Sequence, residues 1–205
     1  MVHPQKSIPL ILGIAALLIT QIFIYATQIQ PLRQLYHNMG LEIGQPVDKL
    51  NGVIVYYNGS VSHVESRNLA PDGYNLGLKY QCVEFVKRYY YEYFKHKMPN
   101  SYGHAKDFFN PKLSDGAINK DRNLLQYKNG STVAPQINDI IVWNGNAWNP
   151  YGHVAIVSAV YDHSIEITQQ NPGPTAPSRI QIELNTHQGK FSLNDSEILG
   201  WLHKK

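Results

Sequence analysis

The sequence predicts an α+β fold, and three observations carry that expectation. One stretch of helical spacing lies near the front of the soluble region, a run of β-branched strands lies behind it, and the separators between those strands are turn-forming residues. A helix that precedes its strands in this way points to an antiparallel sheet. At 205 residues the chain is long enough for one core of ordinary size and short for two.

The first element is an apolar N-terminal segment. Residues 8–26 (IPLILGIAALLITQIFIYA) carry no charge, and as a helix they would cover about 28 Å, close to the roughly 30 Å of bilayer hydrocarbon. The run is apolar all round, whereas a buried core helix keeps a polar stripe. It is therefore expected to be a hydrophobic helix serving as an uncleaved signal anchor behind a tail over residues 1–7. A cleaved signal peptide is the alternative, with Ile24-Tyr25-Ala26 as a poor exit site. Lys6 on one side and Arg33 on the other slightly favour a cytoplasmic tail. The domain is then expected membrane-anchored on the extracytoplasmic, periplasmic side, or secreted if the segment is cleaved. Residues 27–45 are expected as a juxtamembrane linker and residues 46–205 as one domain.

Within that domain, Gly52-Val-Ile-Val-Tyr-Tyr57 followed by Asn58-Gly59 reads as a strand ending in a turn, and a polar stretch runs on to Lys79. From Gln81 to Met98 (QCVEFVKRYYYEYFKHKM) the spacing predicts a helix, with Val83, Val86, Tyr90, Tyr93 and Phe94 near one face. Glu84 in the first turn and Lys95, His96 and Lys97 in the last complement the helix dipole, and Pro99 stops the run. Cys82 thus opens a helix. Residues 99–136 are turn-rich, with a short helix expected near Tyr102–Phe109. Strands are expected at Ile140–Trp143, His153–Val160, Ser164–Thr168, Ser178–Leu184 and Glu197–Leu202. Asn-Gly, Asn-Pro, Asp-His, Pro-Gly-Pro and Asn-Asp separate them.

Composition removes several function classes. A formal charge of +3 is too small for the basic face that binds a duplex, so no nucleic-acid partner is expected. A single cysteine excludes an internal disulfide, every Cys₂ or Cys₄ zinc site and a Cys-x-x-Cys redox motif. His104, His153 and His163 lack the spacing of a zinc-protease motif, so neither a metal nor an organic cofactor is expected. Cys82 is left as a buried filler, an intermolecular link or a nucleophile.

A helix N-terminus lowers a thiol pKa by placing positive partial charge beside the thiolate, and Cys82 has that setting. His153 is the candidate base. It opens an apolar strand on which it shares a face with Ala155 and Val157, while Val154 and Ile156 lie opposite. A third group should accept the other imidazole N–H and fix the tautomer. Alternation along the next strand places Ile165, Ile167, Gln169 and Asn171 on one face and Glu166, Thr168 and Gln170 on the other. Glu166 is the stronger acceptor but faces away from the apolar set, so Gln169 and Asn171 are better placed.

Tyr80-Gln-Cys-Val-Glu-Phe-Val-Lys-Arg88, Gly152-His-Val-Ala-Ile-Val157, Gln169-Gln-Asn171 and the terminal Ile198-Leu-Gly-Trp201 come in this order along the soluble part. Together they resemble the CHAP family of cysteine- and histidine-dependent amidohydrolases and peptidases, and within it the glutathionylspermidine amidase domain. The resemblance implies a papain-like α+β fold, with the Cys-bearing helix packed on a twisted antiparallel sheet that bears the His. It implies Cys82 as nucleophile, His153 as the base that activates it and later protonates the leaving amine, and the backbone N–H of Cys82 as an oxyanion donor. Gln81, Lys87 and Arg88 are carried over as substrate-binding positions. The sequence departs from the amidase pattern at two of these sites: Gln169 stands where the amidases have Glu, and Lys87 where they have Arg. A neutral amide can still orient the ring, and Gln169, with Asn171 as substitute, is expected to do so.

The resemblance implies hydrolysis of an amide through a thioester, on a small amide or peptide substrate such as glutathionylspermidine. A peptidoglycan amidase or endopeptidase of the cell envelope is the alternative that the apolar segment favours. The change to Gln169 motivates a third reading, a wall- or peptide-binding module with impaired turnover. Tyr89, Tyr90, Tyr91 and Tyr93 could offer that module a surface, although rings at helical spacing more often pack.

Overall fold

The computed structural model describes residues 29–205. The tail and the apolar run at 8–26, with the signal-anchor expectation, lie outside the described residues. Among those described, no helix is long and apolar enough to cross a membrane. Part of the stretch expected as a linker, residues 29–38, is helical. The described residues divide into two compact units, one of residues 29–40 with Pro174–Ala176, the other Leu41–Gly173 with Pro177–Lys205. In the smaller, Asn38 accepts a hydrogen bond from Gln34 and donates through Nδ2 to the Pro174 carbonyl at 2.8 Å.

The larger unit has the predicted α+β character. Two short hairpins come first, β1 (Pro46–Leu50) with β2 (Val53–Tyr56) and β3 (Arg67–Leu69) with β4 (Asn75–Leu78). The helix α1 follows (Cys82–Phe94), then a 3-10 turn at Ala105–Phe108. The remaining strands are β5 (Ala117–Asn119), β6 (Leu124–Lys128), β7 (Ile140–Trp143), β8 (His153–Val160), β9 (Ser164–Thr168), β10 (Arg179–His187), β11 (Lys190–Leu193) and β12 (Ile198–His203). They form one eight-stranded sheet in the order β11-β10-β9-β8-β7-β12-β6-β5, and every pairing in it is antiparallel. All five strands expected behind the helix are present, within a few residues of their expected ends. The unexpected strands are short or half-exposed, and carry too little alternation to stand out.

Alternation along the central strands builds a core on each face of the sheet. Ile140 and Val142 on β7, Val154 and Ile156 on β8, and Leu202 on β12 pack with Phe85, Val86, Tyr89 and Tyr90 of α1. Ile141, Trp143, Ala155, Val157, Ile165, Ile167 and Trp201 form the opposite cluster. The helix therefore packs on the sheet as the resemblance implies.

α1 differs from expectation in two respects. It ends at Phe94, because Lys95 takes up the left-handed conformation (φ 54°) and the N–H of His96 bonds back to the Tyr90 carbonyl. Lys95, His96 and Lys97 thus lie beyond the helix rather than in its last turn. Its buried surface is also wider than one stripe. Glu84, Lys87 and Arg88 are buried as well as Phe85, Val86, Tyr89 and Tyr90, whereas Tyr93 is exposed. The tyrosines are packing and anchoring groups: the hydroxyl of Tyr89 donates to Asn138 Oδ1 at 2.6 Å and that of Tyr90 to the Asn138 carbonyl at 2.9 Å.

Candidate active site

The first residue of α1 and the first residue of β8 meet at one end of the sheet. Gln81, the residue before the helix, is extended (φ −76°, ψ 160°), so the chain turns into the helix with Cys82 at its first position. The backbone N–H groups of Val154, Val83 and Cys82 itself face the sulfur. The thiol therefore lies against the opening residues of β8, one residue from His153.

His153 is half-buried and directly opposite Trp143 in the β7–β8 register. Its Nε2 lies 2.9 Å from Gln169 Oε1. The Gln169 Nε2 donates to the Pro177 carbonyl at 3.0 Å. An amide nitrogen bonded to a carbonyl leaves only the amide oxygen for the ring, so Nε2 of His153 carries the proton and Nδ1 is the basic nitrogen.

Burial sets the resting charge of the pair. It pushes the Cys82 thiol up to about 11, with the three surrounding N–H groups working in the other direction. It pulls the His153 imidazole down to about 4, against the raising effect of the bond to Gln169. The sequence expectation of a lowered thiol pKa is therefore reversed, because loss of solvation outweighs the helix N-terminus. At neutral pH the pair rests as thiol and neutral imidazole.

The other predicted positions divide between this site and its supports. Asn171 does not reach the imidazole. It takes up a left-handed backbone (φ 58°) just past β9, and its Nδ2 donates to Gln81 Oε1 at 2.7 Å and to the Val61 carbonyl at 3.1 Å. Gln81 in turn donates through Nε2 to the His63 carbonyl, so both ends of its side chain are occupied. Lys87 is 1 % exposed, with its ammonium on the carbonyls of Asn75 and Ser101. Burial first, and then Arg122 and Arg67, lower its pKa to about 7. Arg88 is paired with Glu84 at 2.6 Å and also donates to the Ile54 carbonyl. In these positions Lys87 and Arg88 hold the helix to its surroundings.

Two residues that sequence reasoning passed over matter most to the geometry. Gln170, fully buried, donates to the Gln81 carbonyl at 3.0 Å and to Glu84 Oε2 at 2.8 Å, and accepts from the Tyr56 N–H at 2.8 Å. It ties the segment carrying Gln169 to the start of α1 and to β2. Trp143 lies with its ring centroid 5.6 Å from that of His153, and its indole N–H donates to Asp195 Oδ2 at 2.8 Å. The cross-strand register would have paired Trp143 with His153 had the β7–β8 turn length been legible.

No group of three or more His, Cys, Asp or Glu placed to hold a metal occurs among the described residues. What the arrangement offers is a thiol, a basic ring nitrogen and an oriented tautomer, the parts needed for nucleophilic acyl transfer.

Comparison with known proteins points the same way. The CHAP domain matches residues 72–171, a span that takes in Cys82, His153 and Gln169. The bifunctional glutathionylspermidine synthetase/amidase of Escherichia coli (strain K12) is 29% identical over 147 residues, which are 66% of this chain and 23% of that protein. The glutathionylspermidine synthase of Crithidia fasciculata is 31% identical over 137 residues, 62% of this chain and 19% of that protein. The match thus spans less than a quarter of those relatives. A solved structure of Ly7917 with the hydrolyzing product of MDP is 28% identical over 36% of this chain and 29% of that one, with a TM-score of 0.25. The chain thus carries a CHAP domain over residues 72–171, a span that includes both the Cys82 thiol and the His153 imidazole, and this domain with its amidase relatives marks it as a hydrolase.

Proposed function

We propose that the protein is a cysteine-dependent amide hydrolase in which Cys82 attacks the carbonyl, His153 moves the proton and Gln169 holds the imidazole. The observation that carries this reading is the bond from His153 Nε2 to Gln169 Oε1, which leaves Nδ1 basic in a ring whose strand abuts the Cys82 thiol. Since the pair rests neutral, the S–H proton passes to Nδ1 as the sulfur bonds to the carbonyl carbon. Nδ1 then returns that proton to the leaving amine, and a thioester remains for water to hydrolyse. Developing negative charge on the carbonyl oxygen is met by the backbone N–H of Cys82 at the start of α1, which turns from the sulfur to the oxyanion.

The substrate in this reading is the amide joining glutathione to a polyamine, as in glutathionylspermidine, because the named relatives include an amidase of that type. A peptidoglycan stem peptide is the second reading, favoured by the apolar run at 8–26, which suits a domain outside the membrane. The full chain is to be incubated with glutathionylspermidine and, separately, with peptidoglycan, each beside Cys82→Ala. Cys82-dependent release of spermidine supports the first substrate, and release of stem peptides the second. No product from either, with no alkylation of Cys82 by iodoacetamide, would overturn the enzyme reading in favour of a binding module.

A further inference from the structure

Proton transfer leaves an imidazolium on His153, and its partner Gln169 is a neutral amide that cannot offset that charge. The negative charge tied to the ring's surroundings by a direct chain of contacts is that of Asp195. Its Oδ2 accepts the Trp143 indole N–H at 2.8 Å, its Oδ1 accepts the N–H of Glu197 at 2.9 Å, and the Trp143 ring lies 5.6 Å from the imidazole at an interplanar angle of 56°. That separation is within cation–π range, and Trp is the strongest of the aromatic partners. A carboxylate on the indole N–H pushes electron density into the ring and strengthens its attraction for a cation.

Resting on the catalytic roles above, we propose that Trp143 and Asp195 are positioning residues that stabilise the His153 imidazolium, in the place of the carboxylate that Gln169 does not supply. Asp195 acts through the indole, without touching the imidazole. The other titratable groups on the elements packed at this end are Cys82 on α1, His104, Lys106 and Asp107 at the 3-10 turn, Tyr151 before β8 and Glu197 beyond Asp195, and the Asp107 carboxylate is taken up by the His104 N–H at 2.8 Å. The fold fixes the arrangement from two sides: Trp143 is the cross-strand partner of His153, and Asp195 lies in the turn leading into β12, the other neighbour of β7.

The test is a double-mutant cycle of Trp143→Phe and Asp195→Asn in the full chain, with Trp143→Leu beside it. The imidazole pKa of His153 is followed by NMR in a Cys82→Ala background, and the acid limb of kcat/KM in the Cys82 chain. Asp195→Asn is expected to lower the imidazole pKa by about half a unit, and Trp143→Leu by about one unit. In the Trp143→Phe chain, which keeps an aromatic ring but has no N–H to receive the carboxylate, Asp195→Asn is expected to change nothing further. An unaltered pKa in Asp195→Asn, or a shift of the same size with Phe at position 143, would overturn the proposal. The titration needs no substrate, so it decides this inference even where turnover fails and the catalytic reading falls. If Trp143→Leu does not fold, the conservative cycle still decides.

Discussion

At the scale of single residues, the site turns on what a buried neutral pair can do. Cys82 and His153 are both shifted by burial towards their uncharged forms, so in the proposed reaction the thiol is activated during attack rather than before it. Gln169→Glu should raise the imidazole pKa through the added charge, moving the acid limb of the pH–rate profile to higher pH while activity is kept or increased. Total loss of activity in that variant would mean that residue 169 does not serve the ring. Gln169→Leu leaves the imidazole N–H and the Pro177 carbonyl without partners, and it should lower kcat by about a hundredfold or more with the fold retained by circular dichroism. The places of Cys82 at a helix start and His153 at a strand start were legible from helix onset and strand alternation, while their chemical roles came only with the family resemblance. The place of Asn171 was not legible, because β9 ends at Thr168 and the left-handed backbone at Asn171 breaks the alternation that would have carried it to the ring.

Elements meet here through close backbone approaches and one buried polar cluster. Gly152 (φ +76°), just before His153, lies where a Cβ would come within 2.5 Å of the Trp143 carbonyl and 3.0 Å of the Lys106 amide nitrogen. Gly200 (φ +151°), in the bulge where β12 shifts register against β7, leaves no room for a Cβ beside the Tyr127 carbonyl of β6. Both glycines of the sequence motifs are thus explained by packing of backbone on backbone. Gly200→Ala should separate β12 from β6 and lower the unfolding midpoint in urea, with native-like enzyme surviving only at low denaturant. The cluster of Glu84, Arg88 and Gln170 locks α1 to the segment that bears Gln169. Glu84→Gln would strand the Arg88 charge in the interior and should cost about 3–5 kcal/mol by equilibrium unfolding. Helical periodicity could not reveal this cluster, since it assigns charged positions to solvent. It takes the tertiary partners, sixteen to eighty-six residues away, to make their burial tolerable.

For the whole molecule, two titratable groups shifted by burial sit at opposite ends of the sheet's centre. His153 lies across from Trp143 at one end of β7, and Asp139 precedes the other end, where its carboxylate meets His203 Nδ1 at 2.7 Å and the Gln136 N–H at 2.8 Å. Burial raises Asp139 to about 6 despite those bonds, and burial lowers His153 to about 4. The two therefore act on stability with opposite signs. As pH falls from about 6.5 to about 4, the unfolded chain protonates His153 before the folded one does, and stability is lost. As pH falls from about 6 to 3.8, the folded chain protonates Asp139 before the unfolded one does, and stability is gained. Across pH 6 to 4 the two contributions nearly cancel. Asp48 does not disturb that window: burial works against its ionisation, but Arg179, the Lys49 N–H and Ser178 hold its pKa below 3.8, so its contribution is lost only at lower pH. Asp139→Asn removes one side of the balance. Its melting temperature should fall as the buffer is taken from pH 6 to pH 4, while that of the unaltered chain changes little over the same range. Melting profiles that run parallel for the two proteins would show that Asp139 is not the group that offsets His153.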